Sequence, residues 1–218
     1  MIGAGGWGTA MMIELAGRHD DLVMYCRNPE RAAAIQKNRE NKDYLPGCRI
    51  PVNVKVTSDL QKAVEHAGCV IICTPSQVVE SMAEKITPWL EKDAVVVCAS
   101  KGLADNEGHR LSEVITEKVK GITDKIVALS GPNHAEEVGQ GLPCATVAAS
   151  AVPEAVQIVQ DLFMSPVFRV YRSEDIRGVE YGGALKNIMA LACGVLDGIG
   201  LGDNCRAALM TRGLVEMT

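Results

Sequence analysis

The chain has 218 residues and a formal net charge of −5, with 47% hydrophobic and 22% charged residues. This composition is ordinary for a globular protein, and without a long Lys/Arg cluster we expect no binding to nucleic acid. The longest apolar stretch, Ile188–Leu196, is far shorter than the roughly 20 residues of a membrane span, so no span is expected. Met1 opens directly into a glycine-rich turn, so no signal peptide is expected either.

The eight cysteines form no CxxC pair, and the four histidines are scattered without a ligand spacing. We therefore predict no metal site. Cys69 and Cys73 share one face of a predicted strand and are interpreted as small core residues. This number of free thiols fits a reducing compartment, and we expect a cytoplasmic protein.

The first 150 residues alternate between short apolar runs and helical segments. The apolar runs predict strands at Leu22–Cys26, Val54–Val56, Cys69–Cys73, Ala94–Cys98 and Lys125–Leu129. Helices are predicted at Trp7–Ala16, Pro29–Lys37, Ser58–His66, Gln77–Leu90 and Gly108–Lys120. Two later strands, Ala145–Ala149 and Val167–Tyr171, flank a helix that starts near Pro153. The alternation predicts an α/β fold with a Rossmann-type, doubly wound parallel sheet and right-handed crossovers.

The pattern changes after Ser173. Glu174–Leu196 is rich in glycine and alanine and predicts one long helix. We therefore expect a dinucleotide-binding domain at 1–175, followed at 176–218 by the start of an all-helical second domain. Two residues precede the first glycine turn, where a strand normally has about five or six, and Gly213–Thr218 lacks a helix stop signal. The expectation is a fragment that is incomplete at both ends.

The segment from Gly3 to Gly8 fits the pattern G-x-G-x-x-G at the start of a βαβ unit. In this motif Gly3 would permit a tight turn, Gly5 would let the backbone approach a pyrophosphate, and Gly8 would pack helix against strand. The following helix would direct its first amides at the phosphates. A glycine turn can also join a strand to a helix without any ligand, but the βαβ context favours dinucleotide binding.

Arg27 follows the second strand, where the adenosine ribose is read. An Asp or Glu there would favour NAD, whereas a guanidinium suits a 2′-phosphate. The sequence therefore predicts NADPH as the cofactor, with NADH as the second choice. In the alternative interpretation Arg27 is a solvated surface charge.

Three strand ends carry unusual residues: 74–76, 99–102 and 130–133. The carboxyl ends of parallel strands meet at one edge of a sheet, so these loops should lie beside the glycine turn. Lys101 is the one cation among them and is predicted to hold an anionic substrate, although lysine in a loop is usually solvated surface.

A second lysine lies in the predicted long helix. Gly183, Lys186, Ala190 and Cys193 fall on one narrow stripe, so another element could approach this helix closely. Burial there would lower the pKa of Lys186 and suit it to acid/base work. The alternative is a lysine that extends from the helix edge into solvent.

At this point seven segments resemble one family. They are 3–10, 44–47, 100–102, 130–132, 182–187, 198–204 and 211–213. In this order, over the whole chain, they are similar to the bacterial-type NAD(P)-dependent glycerol-3-phosphate dehydrogenases. The Gly182–Asn187 motif is specific, whereas many dehydrogenases share the glycine turn.

The resemblance implies interconversion of sn-glycerol 3-phosphate and dihydroxyacetone phosphate, which supplies glycerophosphate for phospholipids. It implies that Lys186 is the proton donor and acceptor. It implies a substrate site of Lys101, Gly131, Asn133 and Asn187, and a dinucleotide site of Gly3, Gly5, Gly6, Trp7, Gly8, Arg27, Lys101 and Ala135. The family's further Asp and its Arg-Asn pair for the substrate phosphate have no counterpart in these 218 residues, so we expect the chain to bind the dinucleotide but to turn over poorly or not at all.

Two other functions stay open from the residues. One is another two-domain NAD(P)-dependent dehydrogenase, acting on a hydroxy acid or a sugar nucleotide. The other is a dinucleotide-binding module without turnover. The expected partner is a small phosphorylated three-carbon substrate, and a homodimer is a further expectation.

Overall fold

The computed structural model describes residues 1–217, so Thr218 lies outside the described residues. The strands are β1 (Leu22–Tyr25), β2 (Glu40–Asn41), β3 (Leu45–Arg49), β4 (Val54–Thr57), β5 (Cys69–Ile72), β6 (Val95–Cys98), β7 (Ile126–Ser130), β8 (Cys144–Ala149) and β9 (Phe168–Ser173). The helices are α1 (Gly6–Ala16), α2 (Pro29–Asn38), α3 (Leu60–Val64), α4 (Val79–Ile86), α5 (Leu111–Lys118), α6 (Ala135–Gly139), α7 (Pro153–Phe163), α8 (Ile176–Gly198) and α9 (Gly202–Met217). The predicted α/β fold with a Rossmann-type sheet and following helices is confirmed.

One sheet organises the first part of the chain. Its strands run in the order β4, β1, β5, β6, β7, β8 and β9, with Ile2 bridging β1 and β5 in parallel on both sides. The Ile2 amide donates to the Ile71 carbonyl at 2.7 Å, and the Ile2 carbonyl accepts from Cys73 N at 2.8 Å. The glycine turn therefore leaves the sheet between its two halves, which is where ligands bind in doubly wound sheets.

The expectation of a parallel sheet is wrong at one place. β7 and β8 pair antiparallel, with Leu129 opposite Ala148, whereas β5, β6 and β7 are parallel and so are β8 and β9. A parallel partner needs a crossover that returns to the other end of the sheet. The short α6 instead packs on α1, so the chain stays at the carboxyl edge and β8 runs back from there.

Helices cover both faces of this sheet. Alternate residues of β5, β6 and β7 enter two cores, for example Val97 on one face and Val96 on the other, and both are fully buried. One core also takes residues of α1, α2 and α7, and the other takes residues of α3, α4 and α5. Burial on both faces explains why these strands are continuous apolar runs in the sequence.

The two last helices pack on each other, and α8 also packs on the sheet. The Asp175 side chain caps α8 by accepting from Gly178 N at 2.8 Å. α8 contacts β7 and β8, and it pairs with α9, where Gly213 lies against the Met189 side chain. No helix within the described residues combines the length and the apolar character needed to cross a membrane.

The short β2–β3 hairpin had no signal in our sequence interpretation. Its strands pair antiparallel with an irregular register. The Asn41 side chain anchors it from within the core by donating to the Ala4 carbonyl at 3.0 Å and to Thr9 Oγ1 at 2.8 Å. The hairpin therefore places Tyr44 beside the glycine turn.

Candidate active site at the carboxyl edge of the sheet

The backbone of the glycine turn has a conformation and close contacts that residues with a side chain would not tolerate. Gly3 has φ +122°, and a Cβ there would collide with the Cys73 carbonyl. A Cβ on Gly8 would collide with the Gly3 carbonyl, so α1 packs against the turn at closest approach. Nothing lies within 4 Å of a Cβ built on Gly5. The turn is thus tight where the chain meets itself and open where a ligand would approach.

The first turn of α1 fits the pyrophosphate of a dinucleotide. No side chain among the described residues caps this helix at Gly5, and no acidic residue lies in its first turn. Its free amides therefore point into the open space, where they favour negative charge. Trp7 Nε1 is buried and makes no hydrogen bond within the described part of the chain. A buried donor without a partner is costly, which is consistent with a ligand that supplies an acceptor.

The structure places Arg27 exposed just after β1. Close by in sequence, the Asn28 side chain caps α2 by accepting from Arg31 N at 2.8 Å. The Arg31 guanidinium lies 4.8 Å from the centre of the Tyr44 ring and donates to Cys26 Sγ at 3.3 Å. Sequence reasoning did not assign Arg31 to the site. Arg31 lies within α2, and its contact with Tyr44 joins two separate parts of the chain, so the sequence pattern gave no sign of it.

Lys101 joins its own loop to the loop after β7 and to Trp7 at the start of α1. Its Nζ donates to the Gly131 carbonyl at 2.8 Å and lies 6.0 Å from the centre of the Trp7 ring. The side chain is partly buried. Burial lowers the pKa of Lys101, and the nearby positive charge of Lys186 lowers that pKa further. The structure therefore brings Lys101, the glycine turn and Lys186 together.

The loop after β7 is packed closely against β8. A Cβ on Gly131 would lie 2.8 Å from the Ala145 carbonyl, and Asn133 Nδ2 donates to that same carbonyl at 2.9 Å. Asn133 Oδ1 is buried without a hydrogen-bond partner in the described chain. Ala135 begins α6 next to the turn, with its Cβ 3.5 Å from a Cβ built on Gly6. The predicted residues of this loop thus lie beside the predicted cofactor site.

The expectation that Lys186 is buried is wrong. Lys186 is exposed, and its Nζ donates to Oδ1 of the neighbouring Asn187 at 2.7 Å. α8 contacts β7 at Gly183 and α9 at Met189, and the Lys186 side chain, which lies between these two contacts, remains exposed. The apolar neighbours of Lys186 in the sequence do not cover it, because within the described chain α8 has no buried residue.

Three cysteines in or next to β5 and β6 belong to the core. Burial raises the pKa of the Cys69, Cys73 and Cys98 thiols to about 12, so these thiols are protonated and unreactive near neutral pH. Among the described residues, no group of three or more His, Cys, Asp or Glu side chains is arranged to hold a metal ion.

Comparison with known proteins shows which family the chain belongs to. The family described as NAD-dependent glycerol-3-phosphate dehydrogenase N-terminus matches residues 1–156, and the corresponding C-terminus matches residues 175–218. The chain belongs to this family of glycerol-3-phosphate dehydrogenases. The resemblance inferred from the motifs is therefore confirmed.

Relatives and solved structures agree with the family. The glycerol-3-phosphate dehydrogenase [NAD(P)+] of Moorella thermoacetica is 51% identical over all of this chain, and that of Pelotomaculum thermopropionicum is 45% identical. The crystal structure of the Coxiella burnetii glycerol-3-phosphate dehydrogenase superposes with a TM-score of 0.91 at 33% identity, covering 99% of this chain and 66% of that one. The chain spans 64% and 63% of the length of the two curated relatives.

Proposed function

We propose that this chain carries the cofactor site and the catalytic lysine of an enzyme that interconverts sn-glycerol 3-phosphate and dihydroxyacetone phosphate. The observation that carries the proposal is the position of Lys101. It contacts the Gly131 loop, approaches the Trp7 ring and is close enough to Lys186 for their charges to repel. Two cations beside a dinucleotide-type turn suit a phosphorylated substrate and a proton transfer.

We propose NADPH as the cofactor. Gly3, Gly5 and Gly8 would form its turn, and the first amides of α1 would hold the pyrophosphate. Arg27 would pair with the 2′-phosphate. Gly6, Trp7, Lys101 and Ala135 would line the rest. When bound, the cofactor supplies or accepts the hydride at the substrate carbon.

The chain's own residues supply the rest of the chemistry. Reduction of a ketone needs a proton on oxygen as well as a hydride on carbon, and we assign that proton to the Lys186 ammonium. In the reverse direction the neutral amine accepts it. Lys101, Gly131, Asn133 and Asn187 would hold and orient the substrate, and Asn187 already accepts from Lys186. The supply of glycerophosphate to phospholipids, a cytoplasmic location, a homodimer and a domain boundary near residue 175 are parts of the same proposal.

The test combines binding and turnover. Isothermal titration of the chain with NADPH should give saturable binding. In the reading frame extended to the length of the curated relatives, sn-glycerol 3-phosphate should also bind, and NADPH oxidation should depend on dihydroxyacetone phosphate. NADPH binding without turnover would favour a dinucleotide-binding module. Turnover with a hydroxy acid or a sugar nucleotide but not with the triose phosphate would favour another dehydrogenase. A matched control is Gly8→Ala, which should lose NADPH binding because its methyl group meets the Gly3 carbonyl.

We expect substrate affinity to fall at alkaline pH earlier than an ordinary lysine would allow. The pKa of Lys101 is lowered, so its ammonium loses the proton, and with it the attraction for phosphate, below the usual lysine range. The measurement is KM for sn-glycerol 3-phosphate between about pH 7.5 and 10.5, where the phosphate is already a dianion because its second pKa is about 6. Lys101→Arg should move the rise in KM to higher pH, because a guanidinium stays charged. An unchanged profile in Lys101→Arg would remove Lys101 from the substrate site.

A further inference from the structure

A buried ion pair joins α8 to the start of α5. Arg110 Nη1 lies 2.8 Å from Glu180 Oε2, and the two side chains are only 8% and 7% exposed. Glu180 also accepts from Ser112 N at 2.8 Å and from Ser112 Oγ at 2.5 Å. Removing Arg110 would leave the Glu180 carboxylate buried without a cation, which is strongly unfavourable. Removing Glu180 would leave Arg110 paired only with the half-exposed Glu113, whose Oε1 lies 2.6 Å from Arg110 Nη2. These contacts fix the first part of α8 on the first domain.

The same residues close the loop that carries Lys101. After Gly102, which has φ +128°, the chain forms a small hairpin in which Leu103 bridges Arg110 antiparallel. The Ala104 amide donates to the His109 carbonyl at 2.9 Å. Arg110 is therefore both the end of the Lys101 loop and the cation that holds α8.

A second contact lies one turn farther along α8. A Cβ on Gly183 would be 2.6 Å from Ser130 Oγ, so the helix backbone approaches the end of β7 closely. Residues three and four apart share a face of a helix, so Glu180, Gly183 and Lys186 follow one another along one side. α8 is thus held at two successive turns before the lysine.

We propose that Arg110, Ser112 and Glu180 form a latch that sets the distance between Lys101 and Lys186. The latch residues are positioning residues, because they act through the loop and the helix and touch neither substrate nor cofactor. This inference rests on the proposed function, in which Lys101 binds the substrate and Lys186 transfers the proton. The need to fix the position of α8 explains why Arg110 and Glu180 are charged. An apolar contact of similar size would hold the helix without fixing its register.

The latch can be tested without turnover. With ¹³C-dimethylated lysines, NMR titration follows Lys101, whose signal is assigned from Lys101→Arg. In Glu180→Ala the release of α8 should move Lys186 away, and the pKa of Lys101 should rise toward the ordinary lysine value. The matched control is Glu80→Gln, which removes a 2.9 Å ion pair with Lys118 of the same helix α5 and should leave the titration unchanged.

Kinetics separate positioning from folding. In Glu180→Ala we expect kcat to fall about 10²-fold, as expected of a misplacement of about 1 Å, with the NADPH dissociation constant unchanged. Glu180→Gln keeps an oxygen acceptor for Ser112 N, so it should lose less. It also replaces Glu180→Ala in both measurements if that variant does not fold.

The outcomes are distinct. An unchanged pKa of Lys101 in a folded Glu180 variant would overturn the latch, and so would an equal change in Glu80→Gln. Absence of turnover in the reading frame extended to the length of the curated relatives would count against the proposed function, while the Lys101 titration would still decide the latch.

Discussion

Lys186→Met should lower the rate of hydride transfer by at least about 10²-fold while leaving NADPH binding unchanged. A general acid contributes about that factor, and methionine keeps the length of the side chain without a proton to donate. The effect should appear in kcat, because the ammonium is needed as charge develops on the substrate oxygen. Its exposure leaves room for substrate to reach it. The measurement is stopped-flow oxidation of NADPH at saturating dihydroxyacetone phosphate.

The experiment belongs in the reading frame extended to the length of the curated relatives, since the chain spans 64% of the first of them. Lys120→Met is the matched control, because Lys120 is an exposed lysine just after α5 and should not affect the rate. Near wild-type hydride transfer in Lys186→Met would mean that the proton comes from another group. Lys101 would then be the next candidate, since its pKa is lowered and it lies at the same edge.

Arg27→Asp should reverse the preference for NADPH over NADH. The substitution removes a charge-assisted contact with the 2′-phosphate, introduces a repulsion, and supplies an acceptor for the 2′-hydroxyl of NADH. Each charge-assisted contact corresponds to about ten- to hundredfold in affinity. The dissociation constants of NADPH and NADH, measured by titration calorimetry at constant salt, give the ratio directly.

Lys37→Asp makes the same change of charge at the far end of α2, where Lys37 is exposed. It controls for the general effect of charge on a polyanionic ligand and should change the ratio little. Equal ratios in wild type and Arg27→Asp would show that Arg27 is a surface charge. Arg31, held over the Tyr44 ring, would then be the cation to replace.

The strands and the glycine turn were predictable because their causes are local. Burial of a strand on both faces requires a continuous apolar run, as at Cys69–Ile72 and Val95–Cys98, and both strands were predicted within one residue. The positive φ of Gly3 disfavours any residue with a side chain, so the glycine motif in the sequence predicts the turn. The long helix was predicted from residue 174 to 196, and α8 runs from Ile176 to Gly198.

The antiparallel pairing of β8 and the β2–β3 hairpin could not be predicted in this way. The direction of β8 depends on α6 packing on α1, and the hairpin depends on Asn41 reaching Ala4 and Thr9. Both are contacts between elements, and the spacing of residues within one element does not contain them. The site residues assigned from the motifs stay predictions until the variants are measured.

The two lysines separate what the sequence determined from what the tertiary structure decided. The sequence placed Lys101 at a strand end and Lys186 on a helix, since position within an element follows from local pattern. The environment of Lys186 is the reverse of the expectation, and the burial of Lys101 was not predicted. Lys101, in a loop, is partly buried with a lowered pKa, and Lys186, in an apolar stretch, is exposed. A side chain's exposure is set by the elements packed over it. The position of α8 depends on contacts between distant parts of the chain, such as the hydrogen bond between Arg110 and Glu180, 70 residues apart.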